Sequence, residues 1–287
     1  MNENRTHFDA EQDSGLGVHN DRASDAAQPA SPPASRRAAR IPRDELRARV
    51  LDAASVLLAE GGISVGLHHL NMEELIRRVG VPRSSAFAAF GGKDELLTAL
   101  MLRLLEPDGP HALGYSPGSN DVAVGVFARY AERLVHPDGT PDPVAGTAVM
   151  RESIRQSLAR NISDTMRSQE WRTYMALSVS VDSLPPGQQP RVRAALQAAE
   201  RAFLQQMAEL YRSIFEYLGR RPAEGVTYMQ IAALGASLVE GMASKRLVGI
   251  DDADGVVTRP GIDGDPVEWE VTALAFSAML DGLTRPA

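Results

Sequence analysis

The chain has 287 residues, 44% of them apolar, a net charge of −7 and no cysteine, enough length for one large or two small domains with a sizeable core. Without cysteine, disulfides, thiolate nucleophiles and Cys-type zinc sites are excluded. No run approaches the roughly 18 to 20 consecutive apolar residues of a membrane span, and the first forty residues lack the apolar centre of a secretory leader, so the expected compartment is the cytoplasm.

The charge is uneven. Residues 1–35 carry a net −4, residues 36–106 a net +2 and residues 107–287 a net −5. An acidic total argues against bulk nucleic-acid binding but leaves room for one locally basic module. His7, His19, His111 and His136 stand alone, and His68 and His69 are adjacent, so they point apart; no metal site and no cofactor is expected.

Residues 1–40 are rich in Asn, Asp, Ser, Ala and Pro without a period of 2 or 3.6, and are expected to form a disordered tail. The tail ends in a basic stretch containing Arg36, Arg37, Arg40 and Arg43. That stretch is either an arm for DNA or a solvated charge run beside a linker.

From Pro42 a helical face appears in Leu46, Val50, Ala54, Leu57 and Leu58, stopped by Gly61-Gly62. Asn71 stands three residues before Glu74, a capping-box spacing that opens a second helix at Met72 with Leu75, Ile76 and Val79 inward. Glu73 and Glu74 resemble an acid-base pair, but at a helix start they complement the dipole. Gly80-Val81-Pro82 breaks the chain, and Ala86 and Phe90 mark the inner stripe of a third, short helix. After Gly91-Gly92 a fourth helix begins near Lys93 and runs to Glu106-Pro107.

Further helices are expected over about 121–136, 143–160, 163–183, 188–219, 226–248 and 266–283. The clearest is 188–219, where Val192, Leu196, Ala199, Phe203, Met207, Leu210, Ile214 and Leu218 step by three and four. No alternating strand pattern of useful length and no repeat is visible. The expected fold is all-α.

Two short helices joined by a glycine-containing turn and braced by a third make a helix-turn-helix, whose second member needs only to enter a major groove. Its outward N-terminal residues are Arg83, Ser84 and Ser85, with Phe87 and Ala88 following. Arg83 is the candidate base reader, because a guanidinium bonds both acceptors of a guanine edge. Lys93, at the next helix start, is placed for a phosphate, as is the helix end at Asn71, with Arg40 and Arg43 as backbone contacts. Phe90 reads as core; Phe87 stays open between core and outer face.

Residues 43–105 resemble the N-terminal DNA-binding domain of the tetracycline-repressor (TetR) family of bacterial regulators. The resemblance rests on Gly61, Asn71, Gly80-Val81, Arg83-Ser84-Ser85, Phe87, Phe90 and Lys93-Asp94-Glu95-Leu96-Leu97 in that order. It departs where Phe87 replaces a frequent tyrosine and where Ala88-Ala89 replaces bulkier groups. After the tail over 1–40, the resemblance implies a helix-turn-helix domain over 41–106 and a helical effector-binding and dimerisation domain over 107–287. It also implies a homodimer on a near-palindromic double-stranded operator, released by a small-molecule effector, most simply as a repressor.

The large groups Phe127, Tyr130, Met150, Arg151, Trp171, Tyr174, Met175 and Phe203 are candidates for an effector pocket, each with plain core as the alternative. Arg151 could pair a ligand carboxylate or meet solvent. Ile231, Leu234, Gly235, Leu238 and Met242, with Leu274 and Ala278 of the final helix, are candidates for the dimer interface. Two rival functions are a helical interaction module with a degenerate helix-turn-helix and a helical-bundle enzyme. The second would need a nucleophile, metal or acid-base pair that no spacing provides.

Overall fold

A computed structural model describes residues 41–61, 72–114, 116–250 and 255–287. The tail with Arg36, Arg37 and Arg40, and the capping position Asn71, lie outside the described residues.

The first four helices are α1 (Arg43–Gly61), α2 (Met72–Val79), α3 (Arg83–Phe90) and α4 (Lys93–Leu104). Each break has a local cause. Gly80 takes φ 71° and its N–H returns to the Ile76 carbonyl at 3.0 Å, a left-handed stop that a Cβ would oppose. Pro82 then stands before the first residue of α3, where a missing N–H costs nothing. Gly91 and Gly92 both donate to the Phe87 carbonyl, at 2.9 and 3.0 Å, and close α3 after two turns.

Six helices follow: α5 (Pro117–Arg129), α6 (Pro143–Arg167), α7 (Gln169–Ser180), α8 (Gln189–Tyr217), α9 (Tyr228–Leu247) and α10 (Val271–Leu283). Side-chain caps open several of them: Asp142 accepts from the Val144 and Ala145 N–H groups, Ser168 from Trp171, and Thr227 forms a reciprocal box with Gln230.

The apolar residues form two main cores. The lower one joins Leu46, Val50, Leu75, Ala86 and Phe90 of the first three helices to Leu97, Leu100 and Leu104 of α4. It continues into Leu177 of α7 and Val192, Leu196 and Ala199 of α8. The upper core gathers Val126, Val149, Ile154, Ile162, Phe215, Ile231, Val239 and Phe276 from α5, α6, α8, α9 and α10. Helix α8, about 43 Å long at 1.5 Å per residue, enters both.

The all-α class holds for the body of the fold, with two small strand pairs added to it. Residues 266–270, assigned by sequence to the last helix, form strand β3 (Pro266–Glu270), paired antiparallel with β2 (Val256–Pro260). Gly264 at φ 87° turns the hairpin, and Trp269 anchors it in the upper core while β2 is exposed throughout. The strands are too short for alternation to register as a pattern, and Trp269 precedes the final helix rather than lying in it. A second pair joins β1 (Arg220–Pro222) to β4 (Thr284–Pro286). There the buried Arg220 donates from Nε and Nη2 to the Thr284 hydroxyl at 3.1 and 2.6 Å, and from Nη1 to the Thr147 hydroxyl. It ties the end of α8, the start of α6 and the chain's last residues together.

Candidate nucleic-acid interface and ligand cavity

Helix α3 divides sharply. Ala86, Ala89 and Phe90 are buried, while Arg83, Ser84, Ser85 and Ala88 are exposed on its outer side. Phe87, left open by sequence, is half-buried: it packs against the lower core and lies under the Arg83 guanidinium, 5.3 Å from its ring centre. The ring supports the arginine stem without offering a polar contact of its own. Lys93 is exposed at the first turn of α4.

Arg43 departs from the arm reading. It is the first residue of α1, and its Nε donates to the Ala89 carbonyl at 2.9 Å. Arg47, which sequence did not single out, donates to the same carbonyl at 3.0 Å and sits 4.3 Å from the Phe90 ring centre. Two arginines of α1 thus satisfy the last turn of α3, where cations oppose the negative end of the dipole. The hint was there: Arg43 and Arg47 are i and i+4, and so share one helical face.

Among the described residues, a cavity of about 460 Å³ opens above the lower core. Trp171 of α7, Phe203, Met207 and Tyr211 of α8, and Val239 and Glu240 of α9 form much of its wall, with Arg160 and Asp164 of α6. Burial pushes the Asp164 carboxyl up, but the Ser116 hydroxyl and the Arg160 and Arg167 guanidiniums outweigh it and carry the pKa down to about 2. Burial also raises Glu240, here with no hydrogen bond to offset it, up to about 7, with Glu200 of α8 adding to it. Burial raises the Tyr174 hydroxyl as well, and its hydrogen bond to Glu200 adds to the shift.

Of the eight sequence candidates for the pocket, Trp171 and Phe203 line this cavity. Phe127 and Met150 line a neighbouring one of about 70 Å³. The other four are placed elsewhere. Tyr130 is buried, its hydroxyl donating to Asp263 at 3.1 Å. Arg151 is half-exposed and pairs with Asp281 of α10 at 2.6 Å, so its partner is the protein's own carboxylate. Tyr174 packs against the lower core and Met175 against the upper. Met207 and Tyr211 extend Phe203 by four and eight residues, and Glu240 is an acidic group on an apolar stretch. Both signals were in the sequence, and size alone did not rank them.

The dimer candidates also separate. Ile231 is fully buried in the upper core, and Gly235 faces inward, where a Cβ would meet the Tyr211 hydroxyl at 2.9 Å and the Phe276 ring at 3.3 Å. Neither can touch a partner: the small residue serves packing within the chain. Leu238, Met242 and Leu274 are half-buried against the upper core. Leu234 and Ala278 are exposed.

A short helix pair with one polar face outward and a bracing helix behind is a DNA-binding helix-turn-helix. Residues 50–100 match the family profile described as bacterial regulatory proteins, tetR family. The match covers the segment from within α1 to α4, which therefore resembles a TetR-type helix-turn-helix DNA-binding domain. Solved structures similar to it include a flavonoid-responsive regulator, FrrA, at 16% identity, covering 85% of this chain and 100% of that one with a TM-score of 0.41. NalD, the secondary repressor of the MexAB-OprM multidrug efflux pump in Pseudomonas aeruginosa, is 20% identical over 84% of this chain and 98% of its own, with a TM-score of 0.34. A TetR-like transcriptional regulator from Rhodococcus sp. RHA1 is 16% identical over 84% and 96%, with a TM-score of 0.31. Superpositions this loose carry no information about ligands. No curated protein matches the chain. Among the described residues no helix is long and apolar enough to cross a membrane.

Proposed function

We propose that the chain is a cytoplasmic repressor that binds a near-palindromic operator as a homodimer and is released by a small molecule. The observation that carries the DNA half is the exposed Arg83-Ser84-Ser85 edge of α3, backed by buried Ala86, Ala89 and Phe90. In this reading Arg83 reads a base, the hydroxyls of Ser84 and Ser85 serve bases or phosphates, and Lys93 holds a phosphate. The domain division falls near residue 106, although the lower core crosses it.

The cavity supports the effector half, and α8 supports a route between the two. Phe203, Met207 and Tyr211 line the cavity, while Val192 and Leu196 of the same helix share a core with Leu100 and Leu104 of α4. An effector that fits one arrangement of α8 better than another biases the placement of α4, and with it the recognition helix. Dimerisation would use the outer faces of α9 and α10, where Leu234, Ser237 and Gly241 stand exposed beside Val271, Ala275 and Ala278.

Selection of bound duplexes from a random pool, followed by footprinting, tests this. The expected footprint has two-fold symmetry with half-sites about 34 to 36 Å apart or a multiple of that spacing. Arg83→Ala should weaken binding by roughly 1 to 3 kcal/mol at the preferred site and relax one base position. An equal loss on every sequence would make Arg83 a phosphate contact, and a footprint without symmetry would remove the dimer.

A further inference from the structure

The cavity wall mixes apolar and aromatic side chains with polar and charged ones, and its charges do not cancel. Arg160 is the one cation among the described lining residues, and its Nε is already bound to both Asp164 oxygens, at 3.0 and 2.8 Å. Two further carboxylates face the same space. Glu170 accepts the Ser168 hydroxyl at 2.9 Å. Glu240 has no hydrogen bond or ion pair among the described residues; the charged group nearest to it in effect is Glu200, another acid. Glu200 itself keeps one buried oxygen, Oε2, without a partner among the described residues, while its side chain is hydrogen-bonded to Tyr174.

A second feature of the space is an unpaired donor. Trp171 lines it at 6% exposure, and its indole N–H is buried without an acceptor among the described residues. Buried donors and carboxylates left unpaired are costly and rare in folded proteins. Here the Trp171 donor and Glu240 line a void large enough for a small organic molecule, with the partly unpaired Glu200 acting on Glu240 from the neighbouring helix.

We propose that the effector is a protonated amine on an aromatic body, its ammonium held by Glu240 with Glu200 behind it and its rings against Trp171, Phe203 and Tyr211. This rests on the reading of the cavity as the effector site. An ammonium neutralises the unpaired acids and gains charge-assisted hydrogen bonds. A neutral isostere gains only the apolar contacts, and a carboxylate is repelled. The aromatic walls add attraction for the cation. Binding also draws on the proton of Glu240. Below about 7 that carboxyl is protonated, so amine affinity should rise as the pH is raised through neutrality and then level off. Asp164, carried down to about 2, and Tyr174, pushed above the usual phenol value, do not titrate in that range.

The test is calorimetric titration of the full chain with biphenylmethylamine, biphenylmethanol and biphenylcarboxylate, which share one ring system and differ in charge. The expected order puts the amine about tenfold or more ahead of the alcohol above neutral pH, with the carboxylate weakest. Glu240→Gln should level amine and alcohol and abolish the pH dependence; Glu240→Met repeats the test should the first variant fold poorly. An alcohol or carboxylate that binds as tightly as the amine, or an amine that does not bind, overturns the cation assignment. Phe203→Ala separates that failure from failure of the cavity itself: it should weaken whichever probe binds, and binding untouched by it overturns the effector-site reading.

Discussion

Arg47 and Glu240 are single residues whose surroundings determine their effects. Arg47 sits where the last turn of α3 needs a donor, bonded to the Ala89 carbonyl and stacked on Phe90. Replacing it with alanine removes a charge-assisted hydrogen bond and a cation-π contact, and should lower stability by roughly 1 to 2 kcal/mol. The measurement is denaturant unfolding, and operator affinity should fall as well although the side chain faces α3 rather than DNA. An unchanged midpoint would show that Arg43 carries the contact alone.

Glu240 makes stability depend on pH with a defined sign. Folding raises its pKa from 4.5 to about 7, so the folded state binds the proton more tightly than the unfolded one. The stabilising contribution is present in full below the unfolded value, is lost as pH climbs between the two, and is absent above them. Because the carboxyl is partly accessible through the cavity, the cost above neutrality is discounted to roughly 1 to 2 kcal/mol. Glu240→Gln should therefore gain on the parent chain as the pH rises from about 5 to about 8, read as a widening difference in melting temperature. A constant difference across that range contradicts the assigned shift.

At the scale of elements, close approach depends on glycine at one position above all. A Cβ at Gly146 of α6 would collide with the Leu218 carbonyl at the end of α8. Backbone cannot yield there as a flexible side chain would, so Gly146→Ala should cost about 1 to 3 kcal/mol or more despite alanine's better helix propensity. Circular dichroism melting of the variant decides it, and a stabilised variant would show that α6 and α8 can separate freely. The β2–β3 hairpin shows the opposite economy: one buried side chain, Trp269, holds two short strands against the upper core while β2 stays exposed.

For the whole molecule, the sharing of α8 between the two cores has a thermodynamic consequence. The helix-turn-helix unit does not own its core: Val192, Leu196 and Ala199 complete it from α8, and Arg191 of the same helix pairs with Glu95 of α4 at 2.9 Å. That exposed pair contributes little, roughly 0 to 1 kcal/mol; the buried apolar contacts dominate. Residues 41–287 should therefore unfold in one cooperative calorimetric transition, with van't Hoff and calorimetric enthalpies equal. Two resolved transitions would mean that the DNA-binding unit melts independently and that α8 transmits nothing.

The breaks between the first four helices were legible in sequence because they are local: Gly80, Pro82 and Gly91-Gly92 end or permit helices whatever surrounds them. The inward residues of α3 and the run of α8 were legible too, since a period of 3.6 is a property of the chain itself. Which large side chain lines a void, and which small one lets helices touch, is set instead by elements far apart in sequence. Arg151 found Asp281, Ile231 and Gly235 turned inward, and Glu240 came to face Glu200. Periodicity fixes which residues share a helix face, but only the packing of one helix against another determines what that face meets.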